Sequence, residues 1–455
     1  MQQISRLTYR AVYLIRRRPE PCEDLMETAK GKASDSLIRQ VRILDPLTQR
    51  DQVGDVLVRD GLIQALGESL VHPGDSIREI DGQGCVLGPG LVELYSQTGE
   101  PGHESRETLT QLLVAAAQGG FTRVGVLPNT IPAVDNAAQV AQRLAYAGGQ
   151  SRVLPWGAIT LGTHGKRLTD LLELGAAGIV GFCDGQPLYN GLMVRHLLAY
   201  TQPLSLPMAL WPCASHDSAA EGSCRDGADA MRLGLLAVPA TAETNPLAEL
   251  LEEVNICPRP IHLMRISTAR SVELIRDAKA RGLPITASVT WLHLLFSTAD
   301  LDSYAPSLRL APPLGTPEDQ EALIVGLEDG TLDAIATDHC AHTYEEKAVP
   351  FGVAPPGAIG LQLALPILWQ TFVATQRWSA LQLWRYLSLN PSQCLNIATA
   401  TVQVHAPANL VLFDPNHQWT ATSNTLGCDP INTPYGHQTI QGQVRHIWMP
   451  AAASV

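Results

Sequence analysis

Positive charge, long apolar runs and paired cysteines are what this sequence has little of, and each shortage removes a class of function. Against 44 acids stand 32 lysines and arginines, a formal charge of −12. A chain so charged repels polyanions at long range, which disfavours nucleic acid and anionic membrane surfaces as partners. No apolar run approaches the roughly 20 residues that span a bilayer. The basic N-terminus is not followed by the apolar stretch of a secretory signal. The nine cysteines (22, 85, 183, 213, 224, 257, 340, 394 and 428) are odd in number, scattered and free of any Cys-x-x-Cys pair. They read as reduced, mostly buried thiols of a cytoplasmic chain. Internal repeats and low-complexity tracts are absent too.

Hydrophobic residues make up 45% and charged residues 17% of the 455 positions, a composition that folds. This length accommodates one large α/β domain and a smaller satellite. Residues 1–36 differ from the rest, because 1–18 carry Arg6, Arg10, Arg16, Arg17 and Arg18 with no acid, followed by Pro19 and Pro21. Two readings stay open for that segment. It is a frayed extension (or lies upstream of the natural start), or it is a docking arm for an acidic partner surface.

Residues 37–88 alternate short β-type runs with turn signals, as in Leu37–Leu44, Gly54–Val58 and Gly61–Leu66. The period of two is that of half-buried strands. Similar runs return at Asn409–Asp414 and Gln443–Trp448, so the two ends, 37–88 and 403–455, are expected to meet as one small β-sandwich. Between them, residues 89–402 alternate strand-like and helix-like runs. The expected strands are 86–94, 121–127, 152–159, 178–182, 206–211, 260–266, 284–290 and 333–337. In the helix-like stretch 269–282, Val272, Ile275 and Ala278 with Leu274 make the apolar face and Gly282 marks the stop. Eight such alternations imply a parallel (β/α)8 TIM barrel, which places function at the C-terminal strand ends.

Several of those strand ends carry specific motifs. They include Gly88-Pro89-Gly90-Leu91-Val92-Glu93-Leu94-Tyr95, Leu127-Pro128-Asn129-Thr130, Gly157-Ala158-Ile159-Thr160 and Ser271-Val272-Glu273-Leu274-Ile275. Further along come Ala336-Thr337-Asp338-His339-Cys340-Ala341-His342, Glu345-Glu346-Lys347 and Asn432-Thr433-Pro434. Together, over roughly residues 37–448, they resemble the dihydroorotase family of the amidohydrolase superfamily. The resemblance implies a TIM barrel of the metal-dependent hydrolase type. It also implies a binuclear metal site, in which a metal lowers the pKa of bound water towards neutrality.

Matched position by position, the ligands such a site needs are replaced. The two histidine places of the first strand hold Tyr95 and Gln97. The bridging acid of the fourth strand falls on Cys183 or Asp184, and the histidines of the fifth and sixth strands fall on Trp211 and Arg265. Asp338 alone is retained. Tryptophan offers no lone pair, glutamine binds such metals weakly, and arginine adds positive charge beside any cation. Zinc is therefore expected to be absent, with no other cofactor. Asn129 matches a substrate-binding asparagine, whose bland reading is a loop cap. The arginine that clamps the substrate carboxylate corresponds to Gly99, and a second asparagine to Ala311.

Other candidates are weighed in the same way. Cys213, His216 and Cys224 lie close together but match no common zinc spacing, and read as an ordinary loop. His339 and His342 read as orienting or loop-packing residues. Asp338 is expected to form an ion pair with Arg265 where the metals would sit, against a residual catalytic role, with Trp211 and Tyr95 filling the cavity. The chain further resembles inactive dihydroorotase-like proteins that associate with aspartate carbamoyltransferase in pyrimidine biosynthesis. It is thus expected to be a non-catalytic structural or regulatory subunit, in a homo- or hetero-oligomer. The alternative is a divergent cyclic-amide hydrolase or small-molecule-binding protein that uses the barrel mouth without zinc.

Overall fold

The structure is a computed structural model that describes residues 35–72, 74, 77–146, 151–188, 191–214 and 222–450. The arginine-rich stretch, and with it both readings of segment 1–36, lies outside the described residues, as does His216. In chain order the first strands are β1 (Ser36–Asp45), β2 (Arg50–Arg59), β3 (Leu62–Gly67), β4 (Arg78–Asp81), β5 (Val86–Pro89) and β6 (Leu91–Ser96). They are followed by β7 (Phe121–Val126), β8 (Arg152–Gly157), β9 (Gly181–Phe182), β10 (Met208–Leu210), β11 (Cys224–Arg225) and β12 (Ala237–Val238). The last are β13 (Ile261–Leu263), β14 (Ile285–Thr290), β15 (Ala334–Ala336), β16 (Leu410–Thr420) and β17 (Thr439–Trp448).

The chain ends do meet. They form one mixed seven-stranded sheet, ordered β17-β16-β5-β1-β2-β3 with β4 on the other part of β1. Alternate residues of these strands (Ile38, Val56, Val58, Leu410, Leu412 and Trp448 among them) gather in an apolar cluster of their own. That is the period-two pattern of a sheet with one buried face.

The run 86–94 proves to be two elements. β5 pairs with β1 and β16 in the end sheet, and β6 opens the barrel. Gly90 stands at the break, where a Cβ would come within 2.3 Å of both Asn409 Oδ1 and Thr122 Oγ1. Only a glycine lets the backbone pass so close.

The barrel strands run β6-β7-β8-β9-β10-β13-β14-β15, all parallel, one from each of the eight expected runs. Helices such as Ala269–Ala280 cover the outside. That helix starts at Thr268, whose side chain accepts the Ser271 N–H at 3.2 Å, and buries Ser271, Val272, Ile275 and Ala278. It ends before Gly282, at φ +83°, a left-handed stop.

The barrel is nearly closed, and Glu93 works at its seam. From β6 its carboxylate accepts the backbone N–H groups of Thr337 (2.9 Å) and Asp338 (3.2 Å), just past β15. Beside it the Gln97 N–H donates to the His339 carbonyl at 2.8 Å. Burial pushes the Glu93 acid up to about 8, although those N–H groups oppose the rise. Among the described residues no helix is long and apolar enough to cross a membrane.

Candidate active site

Inside the barrel, Tyr95, Cys183, Trp211 and Met264 pack with Val92, Leu127, Trp156 and the alanines of β15 in one buried cluster. Into it reaches Arg265, whose side chain is 2% exposed. Its Nε and Nη2 donate to the two oxygens of Asp338 at 2.7 and 2.6 Å, and Nη1 donates to the Gly185 carbonyl at 3.1 Å. The guanidinium lies 4.6 Å over the Trp211 ring and 5.5 Å from the Tyr95 ring, as cation–π contacts do. Burial alone would lower the guanidinium's pKa, but the charge and hydrogen bonds of Asp338 raise it on balance. Arginine's planar fork suits this bidentate geometry.

Both partners hold left-handed backbone, φ +56° at Arg265 and +48° at Asp338. Each costs a non-glycine residue on the order of 1–2 kcal/mol. Such strain persists where the surroundings over-determine it, which is characteristic of functional sites.

Behind the pair runs a hydroxyl chain. The Arg265 backbone N–H donates to the Tyr95 hydroxyl at 3.2 Å, which bonds the Ser288 hydroxyl at 2.8 Å. Ser288 in turn meets His262 Nε2 at 2.8 Å, and His262 Nδ1 meets the Thr286 hydroxyl at 2.9 Å. Burial pushes His262 down to about 3, so it stays neutral. Glu93, His262 and Ser288 are absent from the sequence-based candidates. A histidine or acid inside an apolar strand run was the available signal.

The remaining candidates divide. Cys183 faces the lumen, its thiol pushed up to about 12 by burial. Asp184 turns away: Oδ1 accepts the N–H groups of Ile159 (2.8 Å) and Thr160 (3.0 Å), and Oδ2 the Thr160 hydroxyl (2.6 Å). Gln97 is half-buried at the seam. Asn129 borders the Gly185 turn, since a Cβ on Gly185 would come 3.5 Å from its amide carbon. At Gly99 a Cβ would meet the His103 carbonyl at 2.2 Å, so no side chain fits there. Ala311 is half-buried. Both Cys213 and Cys224 have thiols raised by burial.

The two histidines after Asp338 are engaged in the loops. His339 Nε2 meets Glu107 at 3.1 Å while its Nδ1 accepts the Gly360 N–H at 3.2 Å. His342 Nε2 bonds the Pro356 carbonyl at 3.0 Å, and Asn432 clamps the backbone of His342 from both sides.

A divalent metal does not fit this lumen. A guanidinium stands in it, Asp338 has both oxygens engaged by Arg265, and Asp184 turns away to the Ile159–Thr160 turn. Among the described residues no three His, Cys, Asp or Glu side chains converge to hold a metal ion. What the lumen offers instead is a fixed positive charge between two aromatic rings, with a carboxylate against it.

Comparison with known proteins places this geometry. Residues 84–267 match the family described as Dihydro-orotase-like, and residues 213–441 match the Amidohydrolase family. A Probable dihydroorotase-like protein of Synechocystis sp. is 39% identical over 437 residues, spanning 89% of this chain and 97% of that protein. A Dihydroorotase of Caldanaerobacter subterraneus is 34% identical over 399 residues, spanning 87% and 92%. Among solved structures, the L-hydantoinase (dihydropyrimidinase) of Arthrobacter aurescens superposes with a TM-score of 0.78 at 20% identity, covering 92% of this chain and 95% of that one. That likeness establishes the amidohydrolase fold.

One expectation is corrected by these relatives. The sequence reading expects no enzyme, yet several relatives 33–35% identical to this chain carry the name Dihydroorotase, which points to an enzyme. The expectation equates loss of histidine ligands with loss of chemistry, whereas electrostatic stabilisation by a preorganised charge needs no metal. On a match that spans nearly the whole of a relative, and on the two family matches, this chain belongs to the dihydroorotase-like family of the amidohydrolase superfamily.

Proposed function

We propose that the barrel mouth takes a cyclic amide, or the ureido acid formed when such a ring opens, and acts on it through a fixed guanidinium without a resident metal. The observation that supports this reading is the Arg265–Asp338 pair between Trp211 and Tyr95. A carbonyl oxygen set against Arg265 would meet a permanent charge in a buried, aromatic-walled lumen, where electrostatic stabilisation of an oxyanion is strongest. Asp338, 17% exposed against 2% for Arg265, is the partner that solvent and ligand reach. In ring opening, water adds to the carbonyl carbon, Asp338 takes its proton, the ring C–N bond breaks and the proton passes to the leaving nitrogen. The dihydroorotase relatives make dihydroorotate the first ligand to test.

The full chain, treated with chelator and checked for metal content, is to be assayed for dihydroorotate ring opening and closure. The expected result is turnover that survives chelation and falls at least about 100-fold in Arg265→Met, as removal of an oxyanion-stabilising donor does. Arg265→Lys keeps the charge and is expected to retain part of the rate. Turnover that needs stoichiometric zinc, or that is indifferent to Arg265→Met, overturns the reading. The proposed setting is pyrimidine biosynthesis in the cytosol, beside aspartate carbamoyltransferase. Support for that partner is the resemblance to dihydroorotase-like proteins that associate with it.

A further inference from the structure

We propose that Tyr95, Ser288 and His262 are positioning residues, a one-way chain of hydrogen bonds that fixes the backbone of Arg265 and holds His262 as its Nδ1–H tautomer. The chain stands on its own geometry. Only its effect on turnover rests on the role proposed for Arg265.

The turn after β13 aims the guanidinium, and three successive backbone N–H groups in it are held. Met264 donates to the Leu210 carbonyl at 2.9 Å and Ile266 to the Ser288 carbonyl at 3.0 Å. Those carbonyls belong to β10 and β14, the strands on either side of β13. Arg265 lies between the two, and its N–H donates to a side chain instead, the Tyr95 hydroxyl at 3.2 Å, which reaches it from β6. The residue is strained at φ +56°, and such a conformation persists only where its surroundings hold it. Tyr95 is the contact that holds its N–H in the lumen, where an unpaired donor would be costly.

Direction follows from counting hydrogens. A backbone N–H can only donate, so the Tyr95 oxygen accepts there and has its own hydrogen left to place. Its other partner is the Ser288 hydroxyl at 2.8 Å. If Tyr95 donates to Ser288, Ser288 donates to His262 Nε2 at 2.8 Å. The ring hydrogen then sits on Nδ1 and faces the Thr286 hydroxyl at 2.9 Å. Each of these hydrogens has an acceptor. In the reverse order, with Nε2–H donating to Ser288 and Ser288 to Tyr95, the Tyr95 hydrogen is stranded. Tyr95 and Ser288 are fully buried, and a stranded buried hydroxyl makes that order the costlier one. Burial keeps the ring neutral, which leaves Nε2 free to accept.

The strands bring these groups into line. His262 and Thr286 are register partners on β13 and β14, and Ser288, two residues past Thr286, shares its face. A polar line thus runs behind Arg265 beside an otherwise apolar lumen cluster. Groups in such a network are satisfied together, so the loss of one link is felt along it.

Long-range 1H–15N NMR of the histidine-labelled full chain at neutral pH gives the first test. The His262 signal, assigned by its loss in His262→Gln, is expected to show hydrogen on Nδ1 and none on Nε2. Hydrogen on Nε2 overturns the proposal. The Arg265 Nε–H, assigned by its absence in Arg265→Lys, gives the second. Its hydrogen exchange is expected to quicken at least about tenfold in Tyr95→Phe, Ser288→Ala and His262→Leu, as local opening becomes easier. His262→Gln can accept from Ser288 and donate to Thr286, and is expected to restore slow exchange. A packing role alone would lower the melting midpoint and leave the exchange unmoved. In dihydroorotate turnover, kcat is expected to fall at least about tenfold in Tyr95→Phe with KM within about twofold, because a misaimed group costs rate before binding. Exchange or kcat unchanged in Tyr95→Phe, or equal losses in His262→Leu and His262→Gln, overturns the positioning role. Should Tyr95→Phe not fold, Ser288→Ala carries the same comparison. The expected tautomer and exchange in a wild type without turnover would uphold the chain and remove the function proposed for Arg265.

Discussion

Arg265 and Asp338 each stand at the end of a strand where a metal hydrolase would keep a metal ligand, and together they make one structural unit. Removing one member of a buried pair leaves the other's charge uncompensated, which costs about 3–5 kcal/mol when both are fully buried. Asp338 keeps some contact with solvent, so the lower part of that range applies, about 3 kcal/mol for Arg265→Leu. The double variant Arg265→Leu, Asp338→Asn removes both charges and is expected to lose less stability than the two single variants summed. Urea unfolding of the four proteins measures the coupling. Additivity within about 0.5 kcal/mol would show that the contact at 2.6 Å carries no energy of its own. This pair was legible in the sequence because both residues lie in recognisable motifs at strand ends. The Ser288 hydroxyl that joins Tyr95 to His262 was not, since nothing in a strand serine announces which neighbours it will meet.

At the scale of elements, the eight strands were legible because each is a short apolar run bounded by turn residues. What periodicity could not show is how the first strand meets the last. β6 and β15 are far apart in the sequence, and their seam depends on the carboxylate of Glu93. Nor could one apolar run, 86–94, reveal that it serves two sheets, because only the close approach of Asn409 and Thr122 at Gly90 divides it. The period of two does explain the fourth strand's end: Cys183 and Asp184 are adjacent, so one faces the lumen and the other must turn away.

The Glu93 seam makes a pH prediction. Burial holds its folded pKa near 8 against a model value of 4.5, so between those values the folded chain binds a proton that the unfolded chain does not. Its contribution to stability is present below the unfolded value and is lost as pH rises through the folded one. His262, lowered to about 3, acts the other way, but only below its ordinary value near 6.5. From pH 6.5 to 8 the Glu93 effect is therefore free of it. The melting midpoint is expected to fall across that window, by the equivalent of at most about 2 kcal/mol, and to be flatter in Glu93→Gln. Equal slopes in the two proteins would remove Glu93 from the account.

For the whole molecule, the question is which surface faces a partner. The described part of the chain leaves many large hydrophobic side chains in solvent, and five of them, Leu192, Tyr200, Met231, Leu236 and Ile256, come from residues 191–256. That stretch lies between β9 and β13, one sector of the barrel wall, where the helices Gly191–Tyr200 and Thr241–Ile256 pack together. Met231 is 79% exposed and Leu236 66%. Met231 and Leu236 lie five residues apart in the insertion after β10, so this segment is the one to test first as a protein contact. If aspartate carbamoyltransferase is the partner, co-expression of the two is expected to give one co-migrating species on sizing chromatography. Met231→Asp is expected to split that species into its components without moving the melting midpoint of the isolated chain, because the side chain buries little in the chain alone. Separate elution of the unaltered proteins would exclude that partner. A complex indifferent to Met231→Asp would place the interface on another face of the barrel.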